Sequence, residues 1–258
     1  MSNELLMQWR SVGVNSGDVL LLHSSASRLI RSLKKQGYDK PIESILASLS
    51  EAVGDNGTVL FPSFNFDFTK AVPFDIRNTP GQMGILSEAA RTMSNSVRTG
   101  HPIYSFIARG AHADSLRQVQ NSSGYGSDSP FAFVHKMNGK IAVLDLPDQH
   151  SMTFYHYVEE ALRVEYRYHK WFHGQYTDWE GDEQRRSFSL FVRNIERGVR
   201  TDVYGMEEIL WQEGLYKGNR PGTEFGVRTI EAARLFDTVS NVIQSGRAKG
   251  LLYSTTPT

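Results

Sequence analysis

The sequence predicts an α/β fold: a mostly parallel central sheet flanked by helices, with an aromatic-rich C-terminal segment appended after Leu162. Three observations carry that expectation. Runs such as Val19-Leu20-Leu21-Leu22 and Thr58-Val59-Leu60-Phe61 lack the alternation of a half-exposed strand, as strands covered on both faces do. Segments of helical periodicity alternate with them. Beyond Leu162 the pattern changes to Tyr166, Tyr168, Trp171, Phe172, Tyr176 and Trp179 set among His169, Lys170 and His173.

In chain order, residues 3 to 12 put Leu5, Leu6 and Trp9 on one side of a helix that stops near Gly13. The turn Gly17-Asp18 opens the first strand, which ends at His23 and runs through Ser24-Ser25-Ala26-Ser27 into a helix. A hydroxyl-rich strand end with free N–H groups suits phosphate, and simple N-capping by one serine is the alternative. Ile42 to Ala52 reads as a helix, and Thr58 to Phe61 as a strand closed by Pro62. Ser63 to Pro80 is a long loop whose phenylalanines argue against disorder. Gly84 to Met93 is helical, and Arg98 to Gly110 is a polar loop feeding an apolar strand. Gly124-Tyr125-Gly126-Ser127-Asp128-Ser129 is a turn able to bring backbone close to a ligand. Lys140 to Asp145 is a strand, so Asp145 to Ser151 is the loop at its carboxyl end, where open α/β sheets bind ligands. Arg185 to Val192 alternates as a strand, and Val203 to Trp211 and Ile230 to Ser245 read as helices.

Composition narrows the classes of partner. The 28 basic and 28 acidic residues cancel, leaving no electrostatic footprint for nucleic acid or an anionic membrane. The partner expected is a small molecule. Cysteine is absent, which excludes disulfides, a thiol nucleophile and thiolate metal sites. No apolar run reaches a membrane span and the first residues lack a signal-peptide pattern, so a cytoplasmic protein is expected. A homo-oligomer is left open.

The densest chemistry lies in Met152 to Glu160, a predicted helix. Thr153, His156 and Glu160 are three, four and seven residues apart, and share a face, with Glu159 close behind. A neutral imidazole takes a proton from an amine or hydroxyl, and a carboxylate fixes its tautomer. Either glutamate could be that partner. His169 and His173 have the spacing of a helical metal pair, but no third ligand accompanies them, and no metal is expected.

Taken together, Gly17-Asp18 with the strand into His23-Ser24-Ser25, then Gly57-Thr58-Val59, Arg98-Thr99-Gly100-His101-Pro102 with Ser105, Gly126-Ser127-Asp128-Ser129-Pro130, and Thr153-x-x-His156-x-x-Glu159 resemble the aminoglycoside 3-N-acetyltransferase family, the antibiotic N-acetyltransferase fold. A weaker echo is Ala233-Arg234-Leu235-Phe236-Asp237. The resemblance implies a single domain over residues 1–258, with 165–200 as a candidate acceptor-binding insertion. It implies transfer of an acyl group, normally acetyl from acetyl-CoA, to an amine of an amino sugar or aminoglycoside, the chemistry of antibiotic resistance. His156 would be the general base, Glu159 its support, and Thr153 would sit beside the thioester. His23, Ser24, Ser25, Ala26 and Ser27, with Arg98, His101 and Ser105, would hold coenzyme A. Asp67, Glu160, Trp171 and His173 are the candidate contacts to the acceptor.

Two departures bear on the acceptor. The chain is neutral where binders of polycations need an acidic cleft, and Asp145 stands where the resemblance expects glycine. The segment Glu165 to Glu180 adds aromatic faces and the cations Arg167 and Lys170, suited to sugar rings, bases and phosphate, so a nucleotide-linked amino sugar is an expected acceptor. A Ser-His-acid hydrolase would need a Gly-x-Ser-x-Gly elbow, which is missing. A non-catalytic carbohydrate- or nucleotide-binding module is the other alternative.

Overall fold

The computed structural model describes residues 2–223 and 225–256. Its helices are α1 (Ser2–Ser11), α2 (Ser27–Lys35), α3 (Pro41–Val53), α4 (Ile85–Thr92), α5 (Ala113–Arg117), α6 (Pro130–Lys136), α7 (Phe154–Ala161), α8 (Tyr204–Gln212) and α9 (Ala232–Gln244). The strands are β1 (Val19–Ser24), β2 (Thr58–Pro62), β3 (Phe74–Asp75), β4 (Val97–Arg98), β5 (Phe106–Gly110), β6 (Lys140–Leu144), β7 (Arg167–Thr177), β8 (Glu183–Arg193), β9 (Val199–Thr201), β10 (Lys217–Gly218), β11 (Val227–Glu231) and β12 (Tyr253–Thr255).

Seven strands form the central sheet in the order β10-β11-β6-β1-β2-β5-β4. The centre, β6-β1-β2, is parallel, as the uninterrupted apolar runs require. The flanking pairs are antiparallel, β11 and β5 being the two reversed strands, so most strands still run one way. Alternation along β1 splits the core. Leu20 and Leu22 face a layer built on Trp9 of α1 and Ile45 and Leu49 of α3, while Val19 and Leu21 face the side of α6, α7 and α9. Trp9 Nε1 donates to Ser48 Oγ at 2.9 Å, fastening α1 to α3.

The aromatic segment is not a helix. It is strand β7, paired with β8 over eleven residues each, and β3 adds in parallel to its far end. His169 and His173 therefore lie four residues apart on a strand, about 13 Å, and cannot share an ion. The pairing with β3 ties the long loop 63–80 to the hairpin, where Phe68 and Phe74 are buried against Phe188 and Tyr176, while Phe64 is buried against Tyr104 and Phe106. Strand β11 precedes α9, so the helix starts later than its apolar period suggests.

Asp145, the first residue after β6, has a φ of +61°, in the left-handed region that favours glycine. Its carboxylate compensates. It accepts from Arg28 Nε at 2.6 Å, from a second guanidinium nitrogen, and from Gly226 N–H at 3.2 Å. The residue that departs from the expected glycine thus holds the strand end to the start of α2.

Candidate active site

Helix α7 begins at the carboxyl end of β6, after the loop 145–153, and carries the dyad. His156 Nδ1 lies 2.8 Å from Glu159 Oε2, one helical turn on. Glu159 is sealed, its side chain 1% exposed, and makes an ion pair with Arg167, Nε to Oε2 2.7 Å. Burial opposes its charge, but Arg167 and His156 hold its carboxyl below the ordinary range. His156 is reachable at 17% exposure. Burial and then Arg167 lower its proton affinity below that of free imidazole, against the pull of Glu159. With Nδ1 turned to an ionised carboxylate, the neutral ring donates there and leaves the Nε2 lone pair free. His156 lines a cavity of about 360 Å³, edge-on to Tyr125 at 5.3 Å between centroids.

Glu160 is turned elsewhere. It accepts from Ser123 Oγ at 2.7 Å and lines a separate cavity of about 630 Å³. The structure therefore makes Glu159 the hydrogen-bond partner of His156. Thr153 is the N-cap of α7, its hydroxyl 3.5 Å from Nε2 of His23 at the end of β1. The strand end itself borders a third cavity of about 600 Å³, lined by Ser24, Ser25, Ala26, Ser27 and residues 84–86. The N-cap of α2 is Ala26 and no side chain caps the helix, and among the described residues the hydroxyls of Ser24, Ser25 and Ser27 have no hydrogen-bond partner. Such a strand end suits phosphate.

Arg98, His101 and Ser105 are buried behind the site and spent on internal bonds. Arg98 donates to Ser105 Oγ and to the carbonyls of Ser63 and Thr79. His101 Nδ1 accepts from Ile103 and Tyr104 N–H, and its other nitrogen reaches the Ser189 carbonyl at 3.3 Å. These three fix the loop that presents Tyr104 and present no open surface. Asp67 sits in a short 3₁₀ turn, engaged by Lys70 at 3.6 Å and by Gln82. Trp171 and His173 alternate with Tyr168, Lys170 and Phe172 along β7, and it is the latter three that line the His156 cavity.

The sequence reading missed the buried cluster beneath the loop. Asp148 accepts from Tyr155 of α7 at 2.5 Å, from Tyr216 at 2.7 Å and from Arg228 at 2.6 Å. Arg228 also donates to the Leu146 carbonyl and approaches Glu207 at 3.6 Å. Through Tyr155 this cluster sets the pose of α7. Asp148 and Arg228 are both fully buried. Asp148→Asn is expected to cost about 3 kcal/mol in urea unfolding, because Arg228 keeps its charge and loses its closest counter-ion. Asp67→Asn, at an exposed pair, is expected to change stability by less than about 0.5 kcal/mol. Equal losses in the two variants would refute the assignment.

The sequence model of the aminoglycoside 3-N-acetyltransferase family matches residues 21–244. Aminoglycoside N(3)-acetyltransferase IV of Salmonella sp is 30% identical over 166 residues, covering 63% of this chain and 60% of the relative. Aminoglycoside N(3)-acetyltransferase VII of Streptomyces paromomycinus is 26% identical over 174 residues, 58% of this chain and 56% of the relative. The aligned part thus spans less than two thirds of these relatives. Among solved structures, a binary complex of AAC-IIIb with CoASH superposes with a TM-score of 0.80 at 21% identity, covering 100% of this chain and 98% of that one. AAC-VIa bound to sisomicin gives 0.75 at 23% identity, with 96% and 98% covered. At these identities the structural likeness concerns the fold.

Proposed function

The chain belongs to the aminoglycoside 3-N-acetyltransferase family, and we infer from that membership and the site geometry that it transfers an acetyl or related acyl group from coenzyme A to an amine of an amino sugar or aminoglycoside. The observation that carries this reading is His156 in the wall of a cavity, with Nδ1 held by an ionised, sealed Glu159 and Nε2 without a hydrogen-bond partner among the described residues. A sugar ammonium must lose a proton before it attacks a thioester, and a neutral imidazole of lowered proton affinity is unprotonated and ready near pH 7. No covalent enzyme intermediate is required. His156 accepts the amine's proton, Glu159 stabilises the resulting imidazolium, and Arg167 keeps Glu159 ionised and in place.

The donor fits the strand end. Ser24, Ser25 and Ser27 offer hydroxyls without partners among the described residues, and the uncapped start of α2 adds N–H donors for the phosphates of coenzyme A. Thr153, beside His23, lies one turn from His156, where the thioester must arrive. The hairpin β7–β8, within the segment 165–200, is the acceptor-binding part of one domain spanning 1–258. Acetyl-CoA is a cytoplasmic metabolite, and that is where the reaction is placed. Among the described residues no helix is long and apolar enough to cross a membrane.

The test is thiol release from acetyl-CoA by the purified protein, with and without amines. Amine-dependent release is expected, with the acylated amine recovered in equal amount. Release that proceeds at the same rate without an amine would make the protein a hydrolase. Binding of acetyl-CoA and amines with no turnover would make it a binding module.

A further inference from the structure

Resting on that reading, we propose that the acceptor is a phosphate-bearing amino sugar, a sugar phosphate or nucleotide-linked sugar, held by Lys170 and Arg193 at the cavity that contains His156. The charged or titratable groups facing that cavity are His156, Arg167, Lys170, Arg193 and tyrosines; among the described residues that line it, none is a carboxylate. Arg167 is neutralised by Glu159. Lys170 and Arg193 are exposed, and neither is paired with a carboxylate among the described residues, so two positive charges face the space uncompensated. Arg193 is close enough to disfavour protonation of His156.

Geometry makes this the side from which the amine arrives. His156 lines this space and its Nδ1 is engaged by Glu159, so the group that yields a proton to the other ring nitrogen is expected to enter here. The acidic side chains of the region are elsewhere: Glu160 and Glu165 line the larger neighbouring cavity, and Asp67 is engaged by Lys70 and Gln82. A polycationic amine would meet like charge with no counter-ion, which cationic recognition does not tolerate. A phosphate meets two cations, while Tyr104, Tyr168 and Phe172 offer faces for a sugar or base. Lys170 Nζ rests 5.7 Å from the Phe172 ring centroid, which places the ammonium at the aromatic wall.

The experiment compares kcat/KM, by thiol release, for a hexosamine, the same hexosamine 1-phosphate, its nucleoside-diphosphate form and a polycationic aminoglycoside. Phosphorylated acceptors are expected to be favoured at least about tenfold, with a KM that rises with ionic strength. Lys170→Ala and Arg193→Ala are each expected to raise that KM about tenfold, with kcat and the KM for acetyl-CoA little changed. Both side chains are exposed, so folding is not at issue. Preference for the aminoglycoside or the unphosphorylated hexosamine overturns the inference and leaves the acyltransferase reading intact. A rise in the KM for acetyl-CoA instead assigns the two cations to the donor, and also overturns it. No amine-dependent release from any acceptor removes the reading beneath it.

Discussion

His156→Ala is expected to lower kcat for amine-dependent thiol release by about 10²–10⁴-fold while acetyl-CoA binding is retained. The side chain is partly exposed and its contacts are Glu159 and Tyr125, so the loss falls on proton transfer more than on folding. The pH profile makes the claim sharper. Burial and then Arg167 lower the proton affinity of His156, so its acid limb belongs below the ordinary imidazole value of 6.5. Glu159→Gln removes the charge that opposes those two effects and leaves Arg167 unneutralised. The limb should move further down and the maximal rate should fall, because the base is weaker. The amine contributes its own ionisation limb, which neither variant should move. A His156→Ala protein within threefold of wild type, or an acid limb above pH 6.5 that Glu159→Gln leaves in place, would end the general-base assignment.

The parallel centre of the sheet and helix α7 were legible because their signals are local. Unbroken apolar runs mean strands buried on both faces, and Thr153, His156 and Glu159 carry a helical period. Which glutamate serves His156 was not legible, since adjacent positions differ by about 100° of helix rotation, and only packing sends Glu160 toward Ser123. Strand β7 hid its nature for a physical reason: positions 168 to 171 are all exposed, so the period-two alternation that marks a strand is missing. Strand β11 hid behind Arg228, a charge that reads as surface and is in fact buried against Asp148. Arg167 and Tyr125 reach the dyad, and Tyr216 reaches Asp148 beneath it, from distant segments, and no spacing rule connects them. Asp145 is the converse case. A residue out of place in the sequence became intelligible once its left-handed backbone and its bonds to Arg28 were seen.

Stability should fall steeply as pH drops from 6.5, before carboxylates titrate. His23 is held down to about 3 by burial and then by Arg228, and His101 to about 3 by burial. In the unfolded chain both titrate near 6.5. Between these values the unfolded state binds protons that the native state refuses, so stability is fully present above pH 6.5 and is lost on acidification until about pH 3. Each histidine contributes at most about 1.4 kcal/mol per pH unit. His135 and His156 are lowered as well and act in the same direction. Asp75 and Glu159, with lowered carboxyl values, also lose stability in acid, but only as pH falls toward the carboxylate range near 4. Glu160, its carboxyl raised by burial, acts the other way, so the interval from pH 6.5 to 5 reads the histidines against that opposing carboxyl. Urea unfolding across it should show a slope of about 2–3 kcal/mol per pH unit, and His101→Asn should remove about 1 kcal/mol per pH unit of it, whatever it costs at pH 7. A stability constant from pH 6.5 to 5 would mean that water or a counter-charge reaches these rings. An undiminished slope in the variant would place the linkage on other groups, and the sealed wall that Arg98, His101 and Ser105 form behind the cavity would have to be reconsidered.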